Sequence, residues 1–374
     1  MPFGTMLLGD MGADVIKIEP PTGDHFRYAF DGAWLLASNR NKRGIALDLT
    51  KQEGQEVALK MVRRADVFTE SFAPGVVGRL GLDYDEVSRV NPRIIYCSIS
   101  GFGQTGPYCQ RPGYDPVAQA MSGIMAATGE PERPVRQSIA MIDEAAGLYA
   151  AHAIVLSLLD REKTGKGRRI DISLLDTAIA AAGYNITRYS LTGKIPPRMG
   201  SGHAAFTPYQ VFDTKDKPIF IAVSSDKFWR NFCHALNLHD LGEDSRYSTL
   251  DGRLHHRDEL VRKVSEVCRQ YGSAELESKL VAAGVPCGRV LTAAEVPEDP
   301  HVQSRQIIEE VECPGAGKFK MVRAPIMVSG KLPETRMRPP LLGEHTSEIL
   351  TELGYKEEEI RQLIDESIAF QCSP

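Results

Sequence analysis

The sequence predicts an α/β protein: a parallel sheet in the first half and a smaller α+β domain after it. Two observations carry this. Short apolar runs alternate with helix-period segments up to about residue 175, the order expected of strands joined by crossover helices. After about residue 190, Gly193, Pro196, Pro197, Gly200 and Gly202 mark a loop-rich linker, and the elements beyond it read as a hairpin followed by helices.

Residues 1–12 have a helical pattern that Gly12 ends, and Asp14–Glu19 reads as a short buried strand. Pro20–Asp24 is a loop. The polar, basic run Asn39–Arg43 precedes a strand at 44–48, and Lys51–Ala65 has helical periodicity. Val67–Glu70 is a strand, 84–90 a helix and Arg93–Ser100 a further strand. Asp143 opens a long apolar helix to about Leu159, Thr164–Gly167 turns, and Arg169–Ile172 is a strand. Ser173 followed by Asp176 signals the next helix start. Tyr209–Asp213 and Ile219–Val223 read as a hairpin, with helices on to about 285 and a helical stretch beyond 335.

Composition narrows the function classes. The chain has 374 residues, 42% hydrophobic and 25% charged, with 44 basic against 49 acidic side chains and a net charge of −5. A mildly acidic chain does not advertise nucleic-acid binding, so any cationic site is local. No unbroken run of 18 apolar residues reads as a membrane span. The start, Met1-Pro2-Phe3, lacks a basic region and reads as a fold entered partway rather than a signal peptide. Seven cysteines lie far apart with no CxxC, which fits reduced thiols in a cytoplasmic compartment and gives no metal-ligand pattern. His152, His255 and His256 add none.

Gly101–Gly106 is a formal GxGxxG after a strand, half of the dinucleotide fingerprint. Pro107, Pro112 and Gly113 then bring turn chemistry where a helix should open, so a loop at a ligand or domain edge is favoured over nicotinamide binding. Asp143 reads first as the N-cap of its helix. At a helix start it also sits in a field that keeps a carboxylate ionised, and an aspartate can be a covalent nucleophile towards an activated acyl group. Asn39–Arg43 and Arg79 read equally as solvated surface or as phosphate partners. His203, in a glycine-flanked loop, is a weak acid–base signal.

Together these stretches resemble the class III coenzyme A transferases, the carnitine-dehydratase/bile-acid-inducible type, and most nearly the succinyl-CoA:dicarboxylate (glutarate-type) members. The resemblance rests on Pro2–Glu19, Asn39–Arg43, Glu70–Gly75, Gly101–Tyr108, Arg111–Asp115, Asp143–Tyr149, Glu162–Gly167, Pro208–Phe212 and Pro340–Thr346, in that order along nearly the whole chain. It implies a Rossmann-like large domain (1–195), a small domain (205–325), a C-terminal segment (326–374) returning to the large domain, and an interlocked homodimer. It implies that Asp143 is the nucleophile. Coenzyme A contacts fall on Leu47, Asp48, Leu49, Thr50, Ser71, Phe72, Ala73, Arg79, Arg111, Pro112, Gly113 and Tyr114, with Arg43, or else Arg40 or Lys42, as the substitute for a family arginine absent here, and the substrate loop on Gly200, Ser201, Gly202 and His203. The substrates are an acyl-CoA and a carboxylic acid, with no metal and no cofactor beyond the coenzyme A thioester. Arg136, Arg188 and Arg198 are candidates for holding a second carboxylate.

The sequence departs from the family pattern in two places. Pro20 stands where some members carry an arginine, and the strand that usually precedes Pro2-Phe3 is missing, which leaves an inactive protein as one alternative. The family also includes α-methylacyl-CoA racemases, where a histidine stands in place of Tyr114. A phenol titrating near ~10 is a poor substitute for imidazole, so acyl transfer is expected rather than racemisation.

Overall fold

The alternating runs of the first half fold into parallel strands, but the strands hydrogen-bond in two ladders rather than one sheet. The computed structural model describes residues 1–372. Helix α1 (Pro2–Asp10) leads to β1 (Val15–Glu19), which pairs in parallel with β2 (Lys42–Leu47), Val15 opposite Lys42 and Glu19 opposite Ala46. Helix α2 (Gln52–Val62) buries Val57, Ala58 and Val62 and turns Glu53, Glu56 and Lys60 to solvent, the division an amphipathic stripe predicts. Strand β3 (Val67–Glu70), helix α3 (Tyr84–Val90) and strand β4 (Ile95–Ser100) follow, and β3 pairs in parallel with β4. Every residue of β4 is buried, as for a strand covered on both faces.

Helix α4 (Asp115–Met121) precedes the 24-residue α5 (Met141–Thr164), which ends on Gly165 in the left-handed conformation that costs glycine least. Strand β5 (Arg168–Ser173) pairs in parallel with β4 and runs into α6 (Leu174–Ala181), whose first turn is capped by the Ser173 hydroxyl. By length and composition α5 is apolar enough to cross a membrane, although Asp143, Glu144 and His152 break its apolar run. It buries Ile142, Ala146, Gly147, Ala150 and Ile154 and packs on α1, β4 and β5.

The second unit comprises Gly123–Gln137 and Gly183–Asp299. Its antiparallel sheet joins β6 (Tyr209–Phe212), β7 (Ile219–Ala222) and, further along the chain, β8 (Cys287–Arg289), with β7 central. Helices α7 (Asp226–Ala235), α8 (Arg257–Cys268) and α9 (Ser273–Ala282) contribute Trp229, Phe232, Leu260, Val264, Leu276 and Leu280 to one core.

From Pro300 the chain rejoins the first unit. A hairpin of β9 (Ile308–Cys313) and β10 (Gly317–Val322) is tied there by Arg40, whose guanidinium donates to the Val322 carbonyl at 2.7 Å. After α10 (Thr346–Glu352) and α11 (Glu357–Asp365), β11 (Ala369–Phe370) adds antiparallel to β2.

The ladders are therefore β1-β2-β11 and β3-β4-β5. The observed division also differs from one at 195, 205 and 325: residues 123–137 and 183–195 belong to the second unit, and 300–325 to the first. Arg198 explains part of this. Its guanidinium donates to the carbonyls of Ala126, Glu130 and Pro131 and so binds the 123–137 segment to the chain beyond 183.

Candidate active site

Asp143 is the third residue of α5 rather than its cap. The helix begins at Met141, and Ala140 in the capping position offers no side-chain acceptor. The acceptor comes from another helix: Asp115 Oδ2 accepts from the Ile142 N–H at 2.8 Å and the Asp143 N–H at 3.3 Å. Asp115 is 3% exposed, and its Oδ1 accepts from Gln119 Nε2 at 2.5 Å. A carboxylate 28 residues away thus satisfies two first-turn amides that would otherwise be orphaned.

Helix α1 lies against this turn through two glycines. A Cβ on Gly4 would fall 2.5 Å from the Gly147 carbonyl oxygen, and one on Gly147 would fall 3.0 Å from the Gly4 nitrogen. Only glycine permits that backbone approach. Gly147 is one turn beyond Asp143 on the same helix, so the crossing fixes the height of the carboxylate along α5.

The Asp143 side chain reaches solvent, and among the described residues none donates a hydrogen bond to its carboxylate. Protein crowding on its inner side pushes the carboxyl up to about 6, the Asp115 charge adds to the push, and the Met1 ammonium opposes it. The field of the helix start favours the ionised form, but desolvation and a neighbouring negative charge outweigh it.

The predicted coenzyme A positions lie in the same unit: Arg43 and Leu47 on β2, Arg79 at the end of a short helix, Val76–Arg79, and the others on loops that follow parallel strands, where α/β folds bind ligands. Leu47 ends β2 with its side chain buried in the core. Asp48 then accepts from the Thr50 N–H and hydroxyl, at 3.0 and 2.6 Å, and the Leu49 carbonyl accepts from Gln55 at 3.0 Å. Ser71, Phe72 and Ala73 follow β3 and are exposed. Buried Glu70 shapes that turn by accepting from the Phe72 N–H at 2.9 Å, and burial pushes its carboxyl up.

Beyond β4, the Gly101–Gly106 loop packs on the Arg111–Tyr114 loop with almost no space between backbones. A Cβ on Gly101 would lie 2.8 Å from the Gly113 Cα, and one on Gly113 would lie 2.9 Å from the Phe102 ring. The Gln104 N–H donates to Asp171 at 2.9 Å. Arg111, after which Pro112 follows, stacks over Tyr108 at 4.5 Å from the ring centroid, and Tyr114 is exposed immediately before Asp115.

The arginines are not equivalent. Arg43 already donates to Asp14, Glu348 and Glu352, so a phosphate would have to displace three carboxylates. Exposed Arg79 and Arg111 form no ion pair with the described residues.

The Gly200–His203 segment belongs to the second unit and is tied down there. Gly200 has φ +56 and accommodates the Glu130 carboxylate, which a Cβ would meet at 2.9 Å. Ser201 accepts from the Val211 N–H, Gly202 donates to Met199, and His203 stacks on Phe206 with ring centroids 4.9 Å apart. His203 Nδ1 accepts from the Ala205 N–H at 3.1 Å. Of the arginines considered for a second carboxylate, Arg198 is spent on three carbonyls, and Arg188 is exposed on a helix, Gly183–Thr192. Arg136 donates to the Gln137 carbonyl at 3.1 Å. Among the described residues, no group of three or more His, Cys, Asp or Glu could hold a metal ion.

Sequence reasoning missed Asp115, the Gly4–Gly147 crossing and Glu70. Asp115 had a signal in the GYDP motif, but nothing local connected it to residue 143.

The chain is similar to known proteins over most of its length. Succinyl-CoA:glutarate CoA-transferase of Homo sapiens is 38% identical over 99% of this chain and 86% of its own length. Succinate–glutarate CoA-transferase of Agrobacterium fabrum is 36% identical over 94% and 92%, and acetyl-CoA:oxalate CoA-transferase of Acetobacter aceti is 36% identical over 95% and 92%. The crystal structure of a CAIB/BAIF family protein from Brucella suis superposes with a TM-score of 0.85 at 37% identity, over 94% of this chain and 95% of that one. The family model for CoA-transferase family III matches residues 1–346, and the chain belongs to that family.

Proposed function

We propose that this enzyme moves coenzyme A from succinyl-CoA to a dicarboxylic acid of the glutarate type, with Asp143 as nucleophile. One observation carries the reading: a solvent-reaching carboxylate, with no hydrogen-bond donor among the described residues, raised to about 6 at a helix start. Such a group is ionised to about nine-tenths at pH 7 and is more basic than an ordinary aspartate. The substrate class rests on the names of the human and Agrobacterium relatives.

The chemistry balances without a redox step. An Asp143 oxygen attacks the thioester carbonyl, the C–S bond breaks, and a mixed anhydride forms as coenzyme A leaves as thiolate. The thiolate attacks the Asp143 carbonyl carbon, releasing succinate and leaving an aspartyl-CoA thioester. The acceptor carboxylate attacks that thioester, its C–S bond breaks, and a second anhydride forms as coenzyme A again leaves as thiolate. The thiolate then attacks the acceptor's acyl carbon, releasing the new acyl-CoA and the free Asp143 carboxylate. Covalent catalysis divides one difficult exchange into easier steps.

Arg79 and Arg111 pair with the coenzyme's phosphates, while Leu47–Thr50, Ser71–Ala73 and Pro112–Tyr114 line its path. A second copy of the chain completes a homodimer in the cytoplasm, supported by the exposed apolar side chains Leu148, Leu156 and Leu159 on α5.

The test is incubation with succinyl-CoA and a panel of carboxylic acids, with mass spectrometry of the acyl-CoA products. Glutaryl-CoA should form, Asp143→Ala should not form it, and hydroxylamine should trap an adduct on Asp143. Transfer by Asp143→Ala at the wild-type rate, or an adduct on Glu144, overturns the assignment. α-Proton exchange without transfer points to racemisation.

A further inference from the structure

We infer that Asp115 is a positioning residue for the nucleophile: it sets the place of Asp143 by holding its helix turn and sets its charge state by standing beside it. This rests on the assignment of Asp143 above.

Three observations bear on it. Asp115 is buried at the start of α4, and both of its oxygens are engaged, one by the Ile142 and Asp143 amides and the other by Gln119. An acceptor with this geometry fixes the first turn of α5, because nothing in the α5 sequence caps it. Asp115 also holds the amide of the very residue whose side chain reacts, so a shift in one moves the other. Mutating a merely structural cap elsewhere would cost stability and leave the reacting carboxylate in place.

The charge has a separate effect. The elements packed on α5 offer Asp10 and the amino group on α1, Asp115 on α4, Tyr96 and Cys97 on β4, Arg168, Arg169 and Asp171 on β5, and Asp176 on α6; α5 itself adds Glu144. Of these, Asp115 and Glu144 push the Asp143 carboxyl up and the Met1 ammonium pulls it down, with Asp115 the strongest of the three. Like charges at close range disfavour ionising both, and on Asp143 the Asp115 charge adds to a carboxyl that burial already pushes up. Asp143 therefore carries the proton at low pH.

Asp115→Asn separates the two effects, since an amide oxygen can still accept from the α5 amides while the charge is gone. The expected result is that the acidic limb of the kcat/KM profile for acyl transfer falls by roughly one pH unit, with the KM for succinyl-CoA within about twofold of wild type. Asp115→Ala releases the turn as well, and kcat falls by about 100-fold, the scale of a 1 Å misplacement. Circular dichroism and thermal melting establish that both variants are folded. An unmoved acidic limb in folded Asp115→Asn overturns the inference, as does a folded Asn variant inactive at every pH or an Ala variant with wild-type kcat. Active Asp143→Ala would instead overturn the nucleophile assignment, whatever Asp115 does.

Discussion

Replacing Gly4 by alanine tests whether the α1–α5 crossing holds the reacting carboxylate. The new methyl carbon would lie 2.5 Å from the Gly147 carbonyl oxygen, about 0.9 Å short of the 3.4 Å at which ordinary contact begins. Its neighbours at 3.1 and 3.2 Å are also Gly147 backbone atoms, so no flexible side chain can swing away and the helices must part. Overpacking of this kind costs about 1–3 kcal/mol. For a unit of this size that is a fall of roughly 3–9 °C in melting temperature. The partial separation acts one turn from Asp143, where a displacement of about 1 Å lowers kcat by about 100-fold. Gly147→Ala is milder: its methyl carbon meets the Gly4 nitrogen at 3.0 Å, and helix propensity returns about 1 kcal/mol. Gly183→Ala, with nothing within 4 Å, serves as control and should be neutral or slightly stabilising. Differential scanning fluorimetry and a steady-state glutaryl-CoA assay read both quantities. If Gly4→Ala melts with wild type and keeps its kcat, the crossing does not position the site.

The arginines give a contrast. Arg79→Ala and Arg111→Ala should each raise the KM for acyl-CoA by roughly tenfold, the worth of one charge-assisted bond, whereas Arg43→Met should leave KM alone and cost about 1 kcal/mol of stability, because its carboxylate partners are exposed. In the second unit Arg253 is fully buried and donates to the Thr207 and Tyr247 carbonyls and to Asp226. Arg253→Met leaves the Thr207 and Tyr247 carbonyls without their donor and should destabilise that unit by about 2–3 kcal/mol, read by limited proteolysis as faster cleavage within 183–299; a wild-type cleavage pattern would refute it.

What was legible in the sequence was what short-range periodicity encodes. Strand β4 reads from its apolar run and α2 from its stripe, and the Ser173 cap was visible because donor and acceptor lie three residues apart. Elements that depend on distant partners were not visible. The two-residue strand β11 exists only because β2 offers an edge to Ala369 and Phe370. The 123–137 segment joins the second unit through Arg198, which sequence alone offered as a substrate ligand. Arg43 sat in a basic motif that suggested phosphate, yet its carboxylate partners Glu348 and Glu352 lie 305 and 309 residues away. The glycines of the two packed loops were visible as turn formers, but that Gly101 and Gly113 face each other was not.

The raised pKa of Asp143 sets function against stability, and the conflict is measurable. An aspartate raised from 3.8 to about 6 in the folded state binds its proton more tightly there than in the unfolded chain. Its stabilising contribution is present below about pH 4 and is lost as pH rises through about 6. Activity runs the other way, because attack needs the carboxylate: kcat/KM should fall tenfold per unit below pH 6. Asp143→Asn removes the titration, and among the described residues no hydrogen bond to the carboxylate is lost with it. The variant should be inactive yet melt higher than wild type at pH 7.5, with the difference vanishing near pH 4. The side chain reaches solvent, which screens the penalty, so the gain should be held to about 1 kcal/mol or less. Melting curves of both proteins from pH 4 to 8 decide it. If the two curves stay parallel across that range, or if Asp143→Asn is the less stable protein at pH 7.5, Asp143 is not a carboxylate held against its solvation.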